Sequence, residues 1–345
     1  MNEVSRKILE QVNSVIIGKE AVTEKVLMAV LAQGHVLLED VPGVGKTTMA
    51  LAFARTLGLD SRRVQFTSDT MPSDIIGFSL YNKETGRFDY KSGAVMTNLL
   101  LADEINRTSS KTQSALLEAM EERRVSVDGR TYDLPQPFIV LATQNPIEQD
   151  GTYPLPEAQM DRFMFNLIVP NPGLDELMQI VDMTQKTMAE VADAACSGEQ
   201  LLEMRATASQ IPVANEVMRY AMTLCSATHA DSECASEAAK KYVRLGASPR
   251  AGQALISAAK VRALMQGRYN VAYSDVNALA LPVLRHRMKL NFEAIADRVP
   301  ADDIVRMIVA EVSKRFDVDG TVASVNTKEG TAEGKKKRGF GKKTS

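Results

Sequence analysis

The chain has 345 residues and a formal net charge of −2. This length gives room for about two domains with a sizeable core, so stabilising disulfides are not needed. Its three cysteines are an odd number without metal-ligand spacing, which argues against a disulfide scaffold and fits a reducing cytoplasm. The N-terminal residues have no signal-type apolar core, and the apolar run at 26–32 is too short to span a bilayer. We therefore expect a cytoplasmic protein that is neither secreted nor inserted in a membrane.

Charge is unevenly distributed along the chain. From Lys328 onward seven basic residues stand against two acidic ones, so this segment carries +5 and the remainder −7. An acidic body argues against a nucleic-acid track. Residues 317–345 have few apolar side chains, which predicts a disordered basic tail. A solubilising role is favoured for the tail, and contact with anionic lipid or nucleic acid is the alternative. We expect any membrane contact to run through this tail or through a partner.

The first informative segment in chain order is VLLEDVPGVGKTT, residues 36–48. It predicts a buried strand that leads into a phosphate-binding loop, with Lys46 charging the outer phosphates and the Thr47 hydroxyl available to Mg²⁺. Asp40 stands where the usual motif has its first glycine, and aspartate tolerates the turn geometry of that position. We predict binding of a nucleoside triphosphate with Mg²⁺. The predicted nucleotide contacts in this loop are Pro42, Gly43, Val44, Gly45, Lys46, Thr47 and Thr48.

Polar residues end two further predicted strands. The predicted strand 98–104 ends in Asp103 and Glu104, and the predicted strand 138–143 leads into Gln144 and Asn145. Because ligands bind at the carboxyl ends of parallel strands, we expect Asp103 to hold the water shell of Mg²⁺ and Glu104 to polarise an attacking water. Asn145 would orient that water without competing for its proton.

Two hairpins are predicted between these strands. Residues 79–81 and 87–90 alternate around Asn82 to Gly86, and residues 125–127 and 131–133 flank Asp128-Gly129. In the second hairpin Arg130 lies between Asp128 and Asp133, so its tip is balanced in charge. Such a tip lacks the cationic patch that contact with nucleic acid would need.

The pattern changes after Pro172. Amphipathic helical segments such as 213–225 and 249–265 predict an all-helical second domain. Ser248 is a capping residue before Pro249 at a first helical position, which places Arg250 in the first turn. The predicted fold class is α/β, a parallel sheet flanked by helices followed by a small helical lid. The predicted domains are 1–171, 172–316 and the tail 317–345.

The order of these motifs resembles an AAA+ ATPase: the phosphate loop, Asp103-Glu104, Asn145, Arg162 after the short stretch 155–161, and Arg250 in a helical lid. Finer text resembles the MoxR family of AAA+ ATPases, and the likeness spans nearly everything from residue 15 to 316. The segments that carry it are LLEDVPGVGKT (37–47), ADEINR (102–107), KTQSALLEAM (111–120), ATQNPIE (142–148), GTYPLPEAQ (151–159) and GASPRA (246–251).

The resemblance implies roles that the residue pattern alone does not give. Arg162 would reach the γ-phosphate of a neighbouring subunit, and Arg250 would sense nucleotide from the lid. Ile16, Ile17 and Gly18 resemble the adenine-side segment, which indicates ATP. The hairpins would be the helix-2 insert and the pre-sensor hairpin, which project toward the pore of a ring.

The resemblance also implies an assembly and its partners. We expect an ATP-hydrolysing homo-oligomer, a hexameric ring, that remodels or activates partner protein complexes together with a von Willebrand factor A domain protein. Two alternatives stay open, a DNA-dependent AAA+ motor and a non-catalytic nucleotide-switched regulator. The presence of Glu104 and Arg162 argues against the second alternative.

Overall fold

The structure is a computed structural model that describes residues 2–39, 45–144, 152–185 and 194–320. The predicted disordered tail begins at residue 317; residues 317–320 are described and Val318 packs against the core, whereas the tail from residue 321 onward lies outside these residues. The helices of the described part are α1 (Asn2–Asn13), α2 (Glu20–Leu31), α3 (Lys46–Thr56), α4 (Pro72–Ile76), α5 (Ser110–Glu122), α6 (Glu157–Met160), α7 (Leu174–Gln185), α8 (Gly198–Ser209), α9 (Asn215–Ser226), α10 (Glu237–Tyr242), α11 (Pro249–Met265), α12 (Tyr273–Leu284), α13 (Phe292–Ala296) and α14 (Ala301–Arg315), with a 3-10 turn at Ile105–Arg107. The strands are β1 (Val36–Glu39), β2 (Ser61–Gln65), β3 (Gly77–Asn82), β4 (Arg87–Ser92), β5 (Leu99–Asp103), β6 (Arg124–Val127), β7 (Arg130–Asp133), β8 (Ile139–Gln144), β9 (Phe165–Ile168), β10 (Val243–Leu245) and β11 (Lys289–Leu290).

Five strands form a parallel sheet in the order β2-β5-β8-β1-β9. Every residue of β5 is buried, and so are all of β8 except Gln144. Such apolar runs form central strands that helices cover on both faces. All five strands end at one edge of the sheet, so the polar residues that follow them converge there, as the sequence predicts.

Alternate residues of the central strands enter different cores, because successive side chains point to opposite faces of a strand. One face packs with α1, α2 and α3 and with the helices after residue 198; its strand residues are Val36, Leu38, Leu99, Leu101, Ile139 and Leu141. The other face packs against α5; its strand residues are Leu37, Leu100, Ala102, Val140 and Ala142. The helical part of the chain is therefore joined to the sheet by a continuous apolar core.

Both predicted hairpins are present. Strands β3 and β4 pair antiparallel from Gly77 with Ser92 to Asn82 with Arg87, and β6 pairs with β7 from Arg124 with Asp133 to Val127 with Arg130. The rings of Tyr90 and Tyr132 stack 3.9 Å apart and join the two hairpins.

The region after residue 198 is helical apart from the short antiparallel pair β10 and β11. Helix α11 begins as predicted, with Ser248 as its N-cap, a side-chain bond from the Arg250 N–H to that serine, and Pro249 in the first turn. No helix in the described part of the chain is long and apolar enough to cross a membrane.

Candidate functional site

The start of α3 has the properties of a phosphate-binding cradle. Gly45 adopts φ of 86°, in the left-handed region that favours glycine, and a Cβ there would meet no atom of the described residues within 4 Å. Gly45 offers no capping side chain, and α3 has no acidic residue in its first turn. Amide groups and the positive end of the helix dipole are therefore left for an anion, beside the half-buried Lys46, Thr47 and Thr48. The other predicted loop contacts, Pro42, Gly43 and Val44, lie outside the described residues.

Asp103 is buried at the end of β5 and is held from two neighbouring strands. The Thr143 hydroxyl of β8 donates to Asp103 Oδ1 over 2.7 Å, and Arg63 Nη2 of β2 donates to Oδ2, also over 2.7 Å. Its side chain is 9% exposed, against 50% for Arg63. A carboxylate and a threonine hydroxyl are hard-oxygen donors of the kind that Mg²⁺ takes alongside water and phosphate oxygens, so the chemistry of Asp103 and Thr47 fits the predicted magnesium site.

Glu104 follows directly and turns the chain out of the sheet with φ of 56°. Its backbone N–H donates to the same Thr143 hydroxyl over 2.8 Å. Its carboxylate accepts from Gln65 Nε2 over 2.7 Å and pairs with Arg107 Nε over 2.8 Å. The side chain that we expect to polarise water is thus oriented by two elements at the carboxyl edge of the sheet.

Asn145, the third polar residue of this edge, lies outside the described residues. Gln144 just before it donates from Nε2 to Glu39 Oε1 over 2.7 Å, and β8 and β1 pair through these two residues. The end of β8 is thereby placed beside the strand that feeds the phosphate loop. We call the group at this edge, Gly45 to Thr48 with Asp103, Glu104 and their partners, the carboxyl-edge site.

The predicted adenine-side segment joins α1 to α2. Ile16 is 5% exposed and belongs to the core, and α1 packs on α3, the helix that begins at the phosphate loop. Gly18 has φ of 72°, and a Cβ there would collide with the carboxylate of Glu176 at the start of α7. Ile16, Ile17 and Gly18 thus lie near the first helix of the nucleotide site, with α7 against Gly18.

Arg162 and Arg250 lie together, far from each other in sequence but on one carboxylate. Arg162 Nη2 pairs with Glu121 Oε2 over 3.0 Å, and Arg250 pairs with Glu121 Oε1. Arg162 also donates to the Leu117 carbonyl over 2.5 Å. The structure therefore brings two predicted site residues together through an acid that the sequence analysis did not single out.

Asp161 fastens the helical region beside these arginines. Its carboxylate accepts from Arg287 Nε over 2.8 Å and from the Ser248 hydroxyl over 2.7 Å, and Arg250 Nη1 lies 4.0 Å away. Arg287 is 2% exposed at its side chain and also donates to the Phe163 carbonyl. We call Glu121, Asp161, Arg162, Arg250 and Arg287 the arginine cluster. It lines a cleft of about 310 Å³.

The arginine cluster lies at the amino ends of the parallel strands, whereas the phosphate loop lies at their carboxyl ends. Arg162 precedes β9, whose Phe165 pairs with Val36 at the start of β1, whereas the loop follows Glu39 at the end of β1. The four residues of β1 place about 13 Å of sheet between the two edges. Within one chain, the two arginines and the carboxyl-edge site therefore face different surroundings.

Comparison with known proteins matches this architecture. A model of the ATPase family associated with various cellular activities (AAA) covers residues 35–165, and a model of the AAA lid domain covers residues 235–308. The chain is 41% identical to the chaperone MoxR1 of Mycobacterium tuberculosis over 91% of this chain and 82% of that protein. The chain belongs to the MoxR family of AAA+ ATPases.

Two further similarities cover nearly the whole of this MoxR-family chain. It is 44% identical to the uncharacterized protein YeaC of Bacillus subtilis, over 89% of this chain and 93% of that protein. A solved structure from Cytophaga hutchinsonii, described there as a candidate ATPase, superposes with a TM-score of 0.84 at 37% identity, covering 90% of this chain and 94% of that one. The AAA fold and its helical lid thus extend over both parts of the molecule.

The MoxR-family chain also has a buried histidine below the arginine cluster. His35 Nδ1 accepts from the Val140 N–H over 3.0 Å, so Nε2 carries the proton and lies 3.2 Å from the Met120 carbonyl. Burial, with smaller contributions from Arg123 and Arg205, lowers the pKa of His35 to about 4. This ring is a neutral link between β1, β8 and α5.

Residues missed by the sequence analysis share one property, which is that they orient another side chain. Thr143 stands near the end of the buried strand β8, where its polarity was the available signal, whereas Arg63 and Gln65 lie on the largely exposed strand β2 and gave none. Glu121 had no such signal, because a glutamate in the last turn of a helix is ordinarily exposed. Its partners come from α11 and from the segment after α6, which only folding brings close.

Proposed function

We propose that this MoxR-family chain hydrolyses ATP at a site shared between neighbouring copies and uses the turnover to remodel or activate partner protein complexes. The observation that carries the proposal is the separation of its catalytic groups onto opposite edges of one sheet. A chain that holds acids and a phosphate cradle at one edge and partly exposed arginines at the other is suited to complete its neighbour's site, in a closed ring.

At the carboxyl-edge site we assign binding to the loop and water activation to the acids. Gly45, Lys46, Thr47 and Thr48 would hold the phosphates through backbone N–H groups and the Lys46 charge. Glu104, oriented by Gln65 and Arg107, would accept the proton of the attacking water. Bound Mg²⁺, held by Thr47 and by Asp103, would neutralise charge on the transferring phosphate.

From the neighbouring copy we assign both arginines of the cluster. Arg162 and Arg250 bind one carboxylate, which supports their acting on the same phosphate chain. The lid helices share the apolar core of their own α/β part, and Asp161 ties Arg287 and Ser248 to Arg162's segment. We infer that each lid moves with its own sheet against the next copy, since a large apolar interface resists independent motion.

For the partner side we assign the two hairpins. Phe78, Leu80, Tyr81 and Phe88 of β3 and β4 are each about half exposed or more. The Tyr90–Tyr132 stack connects this hairpin to β6 and β7, which follow α5 directly. Exposed aromatic and aliphatic side chains next to a nucleotide-driven element suit contact with a protein client. A client engaged together with a von Willebrand factor A domain protein, in the cytoplasm, is the partner that we propose.

The proposal is tested by ATP turnover measured against protein concentration. We expect specific activity to rise with concentration as rings assemble, and Arg162→Ala to abolish most of it. An equal mixture of Arg162→Ala and Glu104→Gln chains should recover part of the activity, because a Glu104→Gln chain supplies arginines to the intact site of its neighbour. Concentration-independent turnover that Arg162→Ala leaves unchanged would reject the shared site.

A second assay separates a protein remodeller from a DNA motor. Turnover is measured with and without double-stranded DNA at moderate salt, for the full chain and for a chain ending at residue 320. We expect no stimulation that survives removal of the basic tail. Stimulation that persists in the shortened chain would replace the protein client by a nucleic acid in this proposal.

A further inference from the structure

The end of α5 carries two acids where a helix disfavours them. Glu121 and Glu122 occupy its last turn, at the negative end of the helix dipole, and that turn has no basic residue. Each acid is compensated from another element: Glu122 pairs with Arg124 of β6, and Glu121 with Arg162 and Arg250. Glu121 thus binds the two predicted site arginines, whereas Glu122 binds Arg124 of the following strand. The two adjacent acids therefore allow a matched comparison within one helical turn.

Glu121 joins three separate segments at one carboxylate. Its two oxygens are divided between the partners, with Oε2 on Arg162 and Oε1 on Arg250. Two guanidinium groups brought this close repel each other unless an anion lies between them. Without Glu121, Arg162 would retain the Leu117 carbonyl, and Arg250 would retain the long 4.0 Å approach to Asp161.

We propose that Glu121 is a positioning residue that presents Arg162 and Arg250 together to the phosphate of the neighbouring copy. This inference rests on the proposed function. The carboxylate does not touch the substrate; it fixes the two guanidinium groups before assembly, so that less side-chain entropy is lost when the phosphate binds. It also ties the first turn of α11 to α5, so the lid arginine and the α/β arginine keep one spacing.

The test begins with Glu121→Gln beside the control Glu122→Gln. The substitution removes a charge that the helix dipole disfavours, so we expect no loss of thermal stability from the helix itself. We expect kcat of Glu121→Gln to fall about 10-fold to 100-fold, with KM for ATP changed less than about 3-fold. Glu122→Gln should retain normal kcat. Wild-type or raised turnover in Glu121→Gln would overturn the proposal, a rise meaning that the acid restrains the arginines.

Mixing experiments then place the defect. If Glu121 acts through the arginines, Glu121→Gln mixed with Glu104→Gln should regain activity, because intact sites meet intact arginines at some interfaces. Glu121→Gln mixed with Arg162→Ala should regain none, because every copy then presents a defective arginine edge. Rescue by Arg162→Ala, or failure of rescue by Glu104→Gln, would overturn the assignment.

The failure of this inference can be told from the failure of its premise. The mixture of Arg162→Ala with Glu104→Gln tests the shared site alone, and its failure removes the proposed function and this inference together. That mixture can regain activity while Glu121→Gln is rescued by Arg162→Ala or is not rescued by Glu104→Gln. Such a result removes only the inference about Glu121. Should Glu121→Gln fail to fold by circular dichroism, Glu121→Asp keeps the charge on a shorter side chain, and its kcat should lie between wild type and Arg162→Ala. A normal kcat for Glu121→Asp with unchanged mixing behaviour would overturn the proposal.

Discussion

The carboxyl-edge site and the arginine cluster are built in opposite ways. At the carboxyl-edge site the two acids stand at or directly after a strand end, and each has a partner on an adjacent strand: Thr143 beside Asp103, and Gln65 beside Glu104. In the arginine cluster the partners come from α5, from the segment after α6 and from α11, which are separated by up to 129 residues. The first is a product of sheet order, and the second of helix packing.

The difference shows which structural feature positions the residues of each site. A parallel sheet places the polar ends of its strands together, so the arrangement at that edge follows from strand order alone. The opposite edge is closed by another region that packs against it, here through the pair of buried Arg287 with Asp161 and through a shared apolar core. Substitutions at the two sites should therefore affect the protein in different ways.

The largest effect is expected from Arg162→Ala. Because arginine fingers contribute about 10³ to 10⁵ in rate in related phosphoryl-transfer sites, we expect kcat to fall by about that factor. Nucleotide affinity should be retained, since Arg162 lies at the far edge from its own phosphate loop. Turnover assays and titration with a fluorescent ATP analogue check this. A large loss of affinity would mean that Arg162 acts on its own chain's nucleotide, against the comparison drawn above.

The next largest effect is expected from Glu104→Gln. Removal of a general base lowers kcat by a factor of about 10² to 10⁴. The amide keeps the shape of the side chain, and its oxygen can still accept from Gln65. ATP should bind as before, so ATP-bound rings should accumulate. Light scattering would detect the assembled rings. Glu122→Gln, the same chemical change on α5, serves as the control. Normal turnover in Glu104→Gln would remove the water-activation role.

Asp161→Ala tests the packing of the arginine cluster. It leaves the guanidinium of Arg287, 2% exposed at its side chain, without its carboxylate partner. Breaking a buried pair from one side costs about 3 to 5 kcal/mol, measurable as a reduced free energy of unfolding in urea. Asp303→Ala removes the half-exposed partner of Arg306 and should cost at most about 1 kcal/mol. Equal losses in the two variants would show that the cluster does not hold the lid.

The smallest effect concerns pH. Burial lowers the pKa of His35 to about 4, from 6.5, so the unfolded chain binds a proton there more readily than the folded chain. The stability that the neutral ring provides is present above pH 6.5 and is lost as pH falls toward 4. Urea unfolding at several pH values should show this decline, and it should be shallower in His35→Gln. Identical pH dependence in both proteins would contradict a neutral buried ring.

Much of the carboxyl-edge site was predictable. The strand bounds at 98–104 and 138–143 differ by one residue or less from β5 and β8 at either end, because apolar runs between polar ends define buried strands. The N-cap at Ser248 and both hairpins followed from local turn and capping chemistry. The roles of the individual site residues, including Ile17, Thr48 and Asn145, stay predictions.

The sequence by itself determined the phosphate loop, the paired acids and the helical character of the lid, since each is a local pattern of charge, size and hydrophobic period. The tertiary structure decided that Arg162 and Arg250 share Glu121, that Asp161 anchors the lid, and that Arg162 lies near the start of β1, whereas the phosphate loop follows the end of that strand. The physical reason is that ion pairs between distant segments depend on how helices pack across the sheet, and no local pattern in α5, α6 or α11 records which carboxylate a given arginine will meet.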